Sequence, residues 1–165
     1  MKGLEELREA VARFLNEKGV DAVTAWSAEQ RVQRSGPVAA VSLRSCESGC
    51  AGFRDYLGER YDPQRDVWEE LYGKRAVLTL GLDIYAPNSC GEGGCAAHFA
   101  RLAQVLADDG PEGLYVKELR CAETVYDREE GLFRCRAEAV CQVYLYAVAE
   151  EGGSFADFRV KGSRT

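Results

Sequence analysis

Seven cysteines and one histidine are the residues of this chain whose type and spacing bear most directly on chemistry. Cys46 and Cys50 enclose three residues, and Cys90 and Cys95 enclose four. Four thiolates that met there would form a tetrahedral zinc site of the structural kind. Zinc-binding cysteine pairs more often enclose two residues, so four free thiols are our main interpretation and a zinc site is the alternative.

The single histidine, His98, limits the possible catalytic schemes, because any Ser-His-Asp or Cys-His arrangement would have to use it. It follows Cys95 by one helical turn, and this spacing is the only local support for a thiol enzyme built around Cys90 or Cys95. The glycines of residues 91–94 lack the lysine and the spacing of phosphate-binding loops and indicate a flexible loop. We therefore predict no catalytic residue, no cofactor and no enzymatic activity.

The remaining cysteines indicate packing rather than cross-linking. The chain has seven cysteines, an odd number, and no secretory signal is recognised at the start of the sequence; both observations argue against a framework of disulfides. Cys121, Cys135 and Cys141 fall at apolar positions of predicted strands, where cysteine acts as a small apolar side chain. No apolar run reaches the length of about 18 residues that a membrane span needs, so we expect a cytoplasmic protein.

Composition bounds the size and the partners of the fold. A chain of 165 residues with 46% hydrophobic residues is sufficient for one compact domain with a substantial core. The net charge of -6 argues against binding of specific nucleic acid, which depends on clustered positive charge. We predict a single α+β domain over residues 1–149 and a C-terminal arm over residues 150–165.

A long amphipathic strand is predicted at residues 132–149, where apolar side chains alternate with polar and aromatic ones. Its odd positions form a core face. Its even positions form a second face whose tyrosines and arginines are typical of protein interfaces, although a second core layer would also bury the tyrosines. Two phenylalanines of the C-terminal arm complete the predicted interface. The six residues are Arg134, Arg136, Tyr144, Tyr146, Phe155 and Phe158.

The other periodic segments predict two main helices packed on a largely antiparallel sheet. One helix ends at Gly19, and the other extends from Cys95 to Leu106. Further strands are predicted at residues 22–32, 38–44, 75–86 and 114–126, the first two as a hairpin. Residues 46–63 are predicted to be irregular, and a short helix is predicted around residues 67–71, closed by Gly73.

A hairpin with a five-residue turn is predicted to join the last two strands, with a register that pairs Cys121 with Ala137 and Tyr126 with Leu132. This register places two charged residues, Lys117 and Glu123, on the apolar face. Either this face is incompletely buried or the strand is bulged, and the sequence leaves both alternatives open.

Four segments follow the pattern of a known family. The opening helix is followed by Gly-Val-Asp-Ala-Val at residues 19–23 and by a strand that begins within residues 36–41. Residues 73–80 are placed like the central strand of that family, and residues 131–135 begin the closing hairpin. In order and composition the chain resembles the small bacteriophage or prophage proteins of the tail-terminator and tail-completion class. These proteins cap the tail tube and join it to the head.

The resemblance implies a hexameric ring of α+β subunits, with an arm that reaches the adjacent subunit and an acidic lumen through which DNA passes. It implies contacts with further copies and with other tail or head-joining proteins, no membrane or small-molecule partner, and a final location in the virion. The cysteine-containing loops depart from the family pattern. Other virion roles, such as tail tube, baseplate or connector, remain alternatives, as does a zinc-stabilised binding module.

Overall fold

The computed structural model describes residues 2–24, 35–50, 55–111, 113–149 and 155–161. These residues form an α+β fold, as predicted, with a largely antiparallel sheet. The helices are α1 (Lys2–Glu17) and α2 (Gly93–Asp108), and a 3-10 turn spans Asn88–Cys90. The strands are β1 (Ala22–Val23), β2 (Val38–Cys50), β3 (Tyr56–Asp62), β4 (Val67–Pro87), β5 (Tyr115–Asp127), β6 (Leu132–Ala149) and β7 (Phe155–Lys161).

Two long antiparallel strands, β4 and β6, form the centre of the sheet. They contain 21 and 18 residues, and they pair without a register shift from Glu70 opposite Ala149 to Pro87 opposite Leu132. Each central strand pairs on its outer edge with two shorter strands, one after the other. These are β2 and β3 along β4, and β5 and β7 along β6. The sheet is therefore about 70 Å long at roughly 3.3 Å per residue of β4.

Both helices pack against one face of this sheet, which we call the helix-covered face; the opposite side is the open face. The alternation predicted for β6 is confirmed, since Cys135, Ala137 and Val143 are fully buried. The even positions of β4 from Ala76 to Ala86 supply the matching half of the core. No helix in the described part of the chain is long and apolar enough to cross a membrane.

The end of α1 fixes the start of the sheet. Gly19 adopts a φ of 75°, the left-handed conformation that commonly ends a helix, in agreement with the predicted stop. The Asn16 side-chain amide donates to the carbonyl oxygens of Ala12 and Ala22, and its oxygen accepts from the Ala22 amide. These bonds anchor β1 against the last turn of the helix.

The hairpin predicted from the first two strands is wrong. Ala22 pairs with Ala39 and Val23 with Ala40 in a parallel arrangement, and residues 25–32 of the predicted strand lie outside the described part. Parallel strands need a crossover of a dozen or more residues, and residues 24–37 provide that length.

The irregular segment and the short helix predicted between residues 46 and 73 are also wrong. Residues 46–50 continue β2, residues 56–62 form β3, and residues 67–73 begin β4; only residues 51–54 lie outside the described part. Valine, tryptophan and tyrosine favour extended backbone. Pairing with β3 on one side and β6 on the other satisfies the backbone of residues 70–72 as a strand, in place of a helix.

Two β-bulges in β5 account for the charged residues that break its apolar pattern. One register shift falls between Val116 and Glu118, at Lys117, and the other between Cys121 and Thr124. The predicted pairing of Cys121 with Ala137 is confirmed beyond the second bulge. Nearer the turn the predicted register is wrong by one residue, because each bulge inserts one unmatched residue.

The C-terminal segment forms β7, whose backbone pairs with β6 from Tyr144 opposite Lys161 to Ala149 opposite Phe155. The side chains of Phe155 and Phe158 lie outside the described part of the structure, as do residues 150–154 and 162–165. A boundary between a domain and an arm near residue 150 stays a prediction.

Candidate interaction surface

The central sheet continues well beyond the core. The core residues of β4 begin at Ala76, and none of the described residues in the preceding segment, Val67 to Arg75, belongs to the core. These nine residues together with β3 form what we call the sheet extension. At roughly 3.3 Å per residue the extension projects about 30 Å past the core.

Four aromatic side chains lie on the sheet extension, on the side that continues the helix-covered face of the sheet. Trp68 and Tyr72 share the even positions of β4 with the core residues, and Tyr61 and Tyr56 lie opposite them on β3. The ring centroids of Tyr61 and Trp68 are 5.5 Å apart, as are those of Tyr56 and Tyr72. Trp68 is 69% exposed. We call these four residues the aromatic patch.

Carboxylates hold the tyrosines of the patch in place. The Tyr72 hydroxyl donates to Glu70 at 2.7 Å, and the Tyr61 hydroxyl donates to Asp66. These hydrogen bonds are the main reason that the pKa of each tyrosine is raised above its ordinary value. The phenols stay neutral and carry their rings in fixed positions, with exposed apolar surface.

An ion-pair cluster on the opposite side of the extension joins β3 to β4. Glu69 is only 7% exposed, and its carboxylate accepts from Arg60 at 2.5 Å and lies 3.5 Å from Arg65. Arg60 is the cross-strand partner of Glu69, so the pair connects the two strands directly. A charge-assisted bond at a buried carboxylate orients the strands that carry the aromatic patch.

The turn between β3 and β4 has a specific geometry. Asp62 pairs with Val67 and encloses a four-residue loop, and its carboxylate accepts from the backbone amides of Gln64 and Arg65 at 2.9 and 3.4 Å. Asp66 closes the loop with a φ of 54°. Aspartate suits both roles, because its side chain bonds to nearby amides and tolerates left-handed backbone.

The open face of the body carries a salt-bridge network across three strands. Arg44 on β2 donates to Asp83 on β4 at 2.6 Å and also to Glu138 on β6. Arg134, one of the predicted interface residues, lies 3.5 Å from Asp83 and 5.4 Å from the centre of the Tyr85 ring. The charge of Arg134 is therefore partly neutralised within the chain.

Gly81 makes room for this network. It lies in β4 between Ser42 and Glu138, and a β-carbon at this position would be 2.4 Å from the Ser42 hydroxyl and 2.8 Å from Arg44 Nε. The Arg44 side chain thus crosses the sheet over the glycine.

The other predicted interface residues differ in how much the structure describes. Tyr144 is half-buried, and its hydroxyl accepts from the Gln142 amide at 3.0 Å. Arg136 is exposed and lines, with Arg134, an open cavity of about 620 Å³ beside the β5–β6 turn. For Tyr146 only the backbone is described, opposite residue 73 of β4.

The four cysteines of the zinc alternative are not brought together. Cys46 and Cys50 lie opposite residues 74–78 of β4, whereas Cys90 follows the far end of that strand and Cys95 is buried in α2. At roughly 3.3 Å per residue, about 30 Å of β4 separates the two pairs. No cluster of three or more metal-ligating side chains occurs among the described residues.

Cys95 and His98 do not form a pair either. The buried Cys95 thiol contacts the carbonyl oxygen of Phe133 at 3.5 Å, and burial raises its pKa to about 11. His98 Nε2 lies 3.1 Å from the Asp21 carbonyl oxygen, to which it must donate its proton, and burial lowers the pKa of the ring. The Cys95 thiol therefore stays protonated, and His98 Nε2 is occupied by its hydrogen bond to the Asp21 carbonyl oxygen.

The aromatic patch is not predicted from the sequence, because the pattern of residues 67–71 indicates a helix. The turn itself provides a usable signal: Asp62 and Asp66 have the same two roles as Asp127 and Gly131 in the β5–β6 turn, which the sequence predicts correctly.

The chain matches no protein-family model, and no curated protein matches it.

Proposed function

We propose that this chain is a structural protein of bacteriophage or prophage tail assembly, of the tail-terminator or tail-completion type. In this proposal it forms rings and contacts other tail or head-joining proteins, first in the bacterial cytoplasm and then in the virion. The observation that carries the proposal is the aromatic patch on the sheet extension. The patch is a surface suited to contacts with another protein, and the family resemblance in the sequence supports the same role.

The composition of the patch supports a role in assembly. Tryptophan and tyrosine are enriched at protein interfaces, where they bury much area and lose little conformational freedom. Here Trp68 is exposed although it lies in line with the core positions of β4. Covering the patch with a second protein would bury surface that the chain alone leaves in water, at a gain of about 25 cal/mol per Å² before the costs of association.

Geometry also supports the proposal. The aromatic rings are held by hydrogen bonds to Glu70 and Asp66 and by a hairpin whose strands are joined through Glu69. A preorganised surface loses little entropy when it binds. The net charge of -6 agrees with a ring whose lumen lets DNA pass without sticking.

The direct test is the size and shape of the purified protein. Light scattering at raised concentration should give a mass of several subunits, and negative-stain microscopy of the same sample should show rings. Monomers that persist alone and in the presence of purified tail tubes would contradict the proposal. The genes that flank this one provide an independent test, since a set of tail morphogenesis genes is expected.

A further inference from the structure

Two cysteines on neighbouring strands lie in direct contact. The Sγ atoms of Cys121 on β5 and Cys135 on β6 are 2.8 Å apart. Both sulfurs also contact the carbonyl oxygen of Ala122, at 3.4 and 3.3 Å. A disulfide has an S–S distance of about 2.05 Å, so a shift of less than an ångström separates these thiols from a covalent bond.

The second bulge of β5 explains this contact. Cys121 pairs with Ala137 and Thr124 with Cys135, so two residues of β5 stand opposite one residue of β6. In a regular antiparallel pair the α-carbons of such diagonal neighbours are about 7–8 Å apart, which is beyond the usual disulfide range of about 4.4–6.8 Å. A bulge bends and twists its strand, and here the two sulfurs meet.

We propose that Cys121 and Cys135 form a reversible dithiol–disulfide pair, a redox modification site that cross-links β5 to β6 over the bulge. The proposal does not rest on the proposed function. It concerns the end of the sheet that holds the core, away from the sheet extension.

The two thiols have different access to an oxidant. Cys121 is exposed, whereas Cys135 is fully buried. Burial, followed by the hydrogen bond with Cys121, raises the pKa of Cys135 to about 12. A dissolved disulfide therefore reacts first with Cys121, and Cys135 reacts only with a sulfur already held against it.

With oxidised glutathione as the oxidant the chemistry balances in two exchange steps. The Cys121 thiolate attacks one glutathione sulfur, the S–S bond of glutathione breaks, and one reduced glutathione leaves after taking up a proton. Cys135 then attacks the Cys121 sulfur of the mixed disulfide. The second glutathione leaves with the proton of Cys135. One glutathione disulfide has been reduced to two thiols, and the protein dithiol has been oxidised.

The test uses the full chain, first reduced and then equilibrated with oxidised glutathione, blocked with an alkylating reagent and digested with trypsin. Cleavage after Arg120, Arg128, Arg134 and Arg136 isolates the two cysteines in separate peptides. Mass spectrometry should find residues 121–128 joined to residues 135–136, lighter by two hydrogen atoms than the separate peptides. A thiol reductant should restore both free peptides.

Two serine variants provide the comparison. Cys121→Ser should abolish the linked species and leave Cys135 free, because a buried thiol does not meet the oxidant. Cys46→Ser removes a different exposed thiol and should leave the linked species at the wild-type level. The proposal is overturned if wild-type Cys121 accumulates as the glutathione adduct while Cys135 stays free, or if Cys121 links to Cys95 instead.

Discussion

Replacement of Gly81 by alanine tests whether the open face is a fixed network. The added methyl group would lie 2.4 Å from the Ser42 hydroxyl, 2.8 Å from Arg44 Nε and 3.2 Å from Arg44 Cζ. Each of these separations is shorter than ordinary van der Waals contact, so both side chains must move. Arg44 cannot keep its present path over β4 to reach Glu138.

The expected magnitude follows from three contributions. Insertion of a methyl group into packed surroundings costs about 1–3 kcal/mol. Displacement of Arg44 weakens two partly exposed ion pairs, with Asp83 and Glu138, each contributing about 0.2–1 kcal/mol. Alanine recovers about 0.5–1 kcal/mol relative to glycine in a strand. We expect a net loss of about 2 kcal/mol, which lowers Tm by about 4–8 °C in a protein of this size.

The assay is chemical denaturation of matched variants. Gly49 also lies in a strand, β2, but a β-carbon there has no neighbour within 4 Å, so Gly49→Ala should preserve or slightly raise the free energy of unfolding. In a double-mutant cycle, Arg44→Ala should reduce the cost of Gly81→Ala by more than about 0.5 kcal/mol. Equal stability of the two alanine variants, or strict additivity with Arg44→Ala, would refute this reasoning.

Further predictions concern the two faces of the sheet and the half-buried His98. Leu145 packs against the core and Tyr144 lies on the open face. Leu145→Asp should therefore unfold the chain, whereas Tyr144→Asp should keep native circular dichroism; equal loss of fold in both variants would refute the two-face description. The lowered pKa of His98 means that the unfolded chain binds a proton more readily. The contribution of neutral His98 to the free energy of unfolding is therefore complete above its ordinary pKa of 6.5, and it is lost as pH falls towards the pKa of His98 in the folded chain. Wild-type Tm should therefore fall more than that of His98→Gln between about pH 8 and about pH 5, and parallel curves would contradict the assignment.

The body of the fold could be predicted because its strands have one buried face. In β6 and in the second half of β4, aliphatic and small residues alternate with polar ones over many positions, and this period is a direct consequence of burial on one side. The helices follow from the same principle at the helical period, with Gly19 as a stop.

The sheet extension could not be recognised in this way, because it has no buried apolar face. The positions of β4 that continue the core face are Trp68, Glu70, Tyr72 and Lys74, two aromatic and two charged residues. Without aliphatic alternation the segment resembles an amphipathic turn of helix. Its strand conformation depends on pairing with β3 and β6, which only the folded chain shows.

The contact between Cys121 and Cys135 could not be predicted from the sequence, because it depends on the second bulge of β5. The predicted register is correct at Cys121 and wrong by one residue at Cys135, so it places the two thiols at separate packing positions. The misplaced charges of Lys117 and Glu123 were the sequence signal for the bulges, but charge alone does not show on which side an extra residue lies.

The central claim, that the aromatic patch mediates assembly, is tested most directly by measuring how far a matched pair of tyrosine variants shifts the monomer–ring equilibrium. Tyr61 in the patch and Tyr126 on β5 are 44% and 43% exposed, so their serine variants remove the same side chain at the same exposure. Light scattering across a dilution series should show that Tyr61→Ser dissociates at higher concentrations than wild type, whereas Tyr126→Ser follows wild type. Unchanged dissociation of Tyr61→Ser, or equal shifts in the two variants, would contradict the claim.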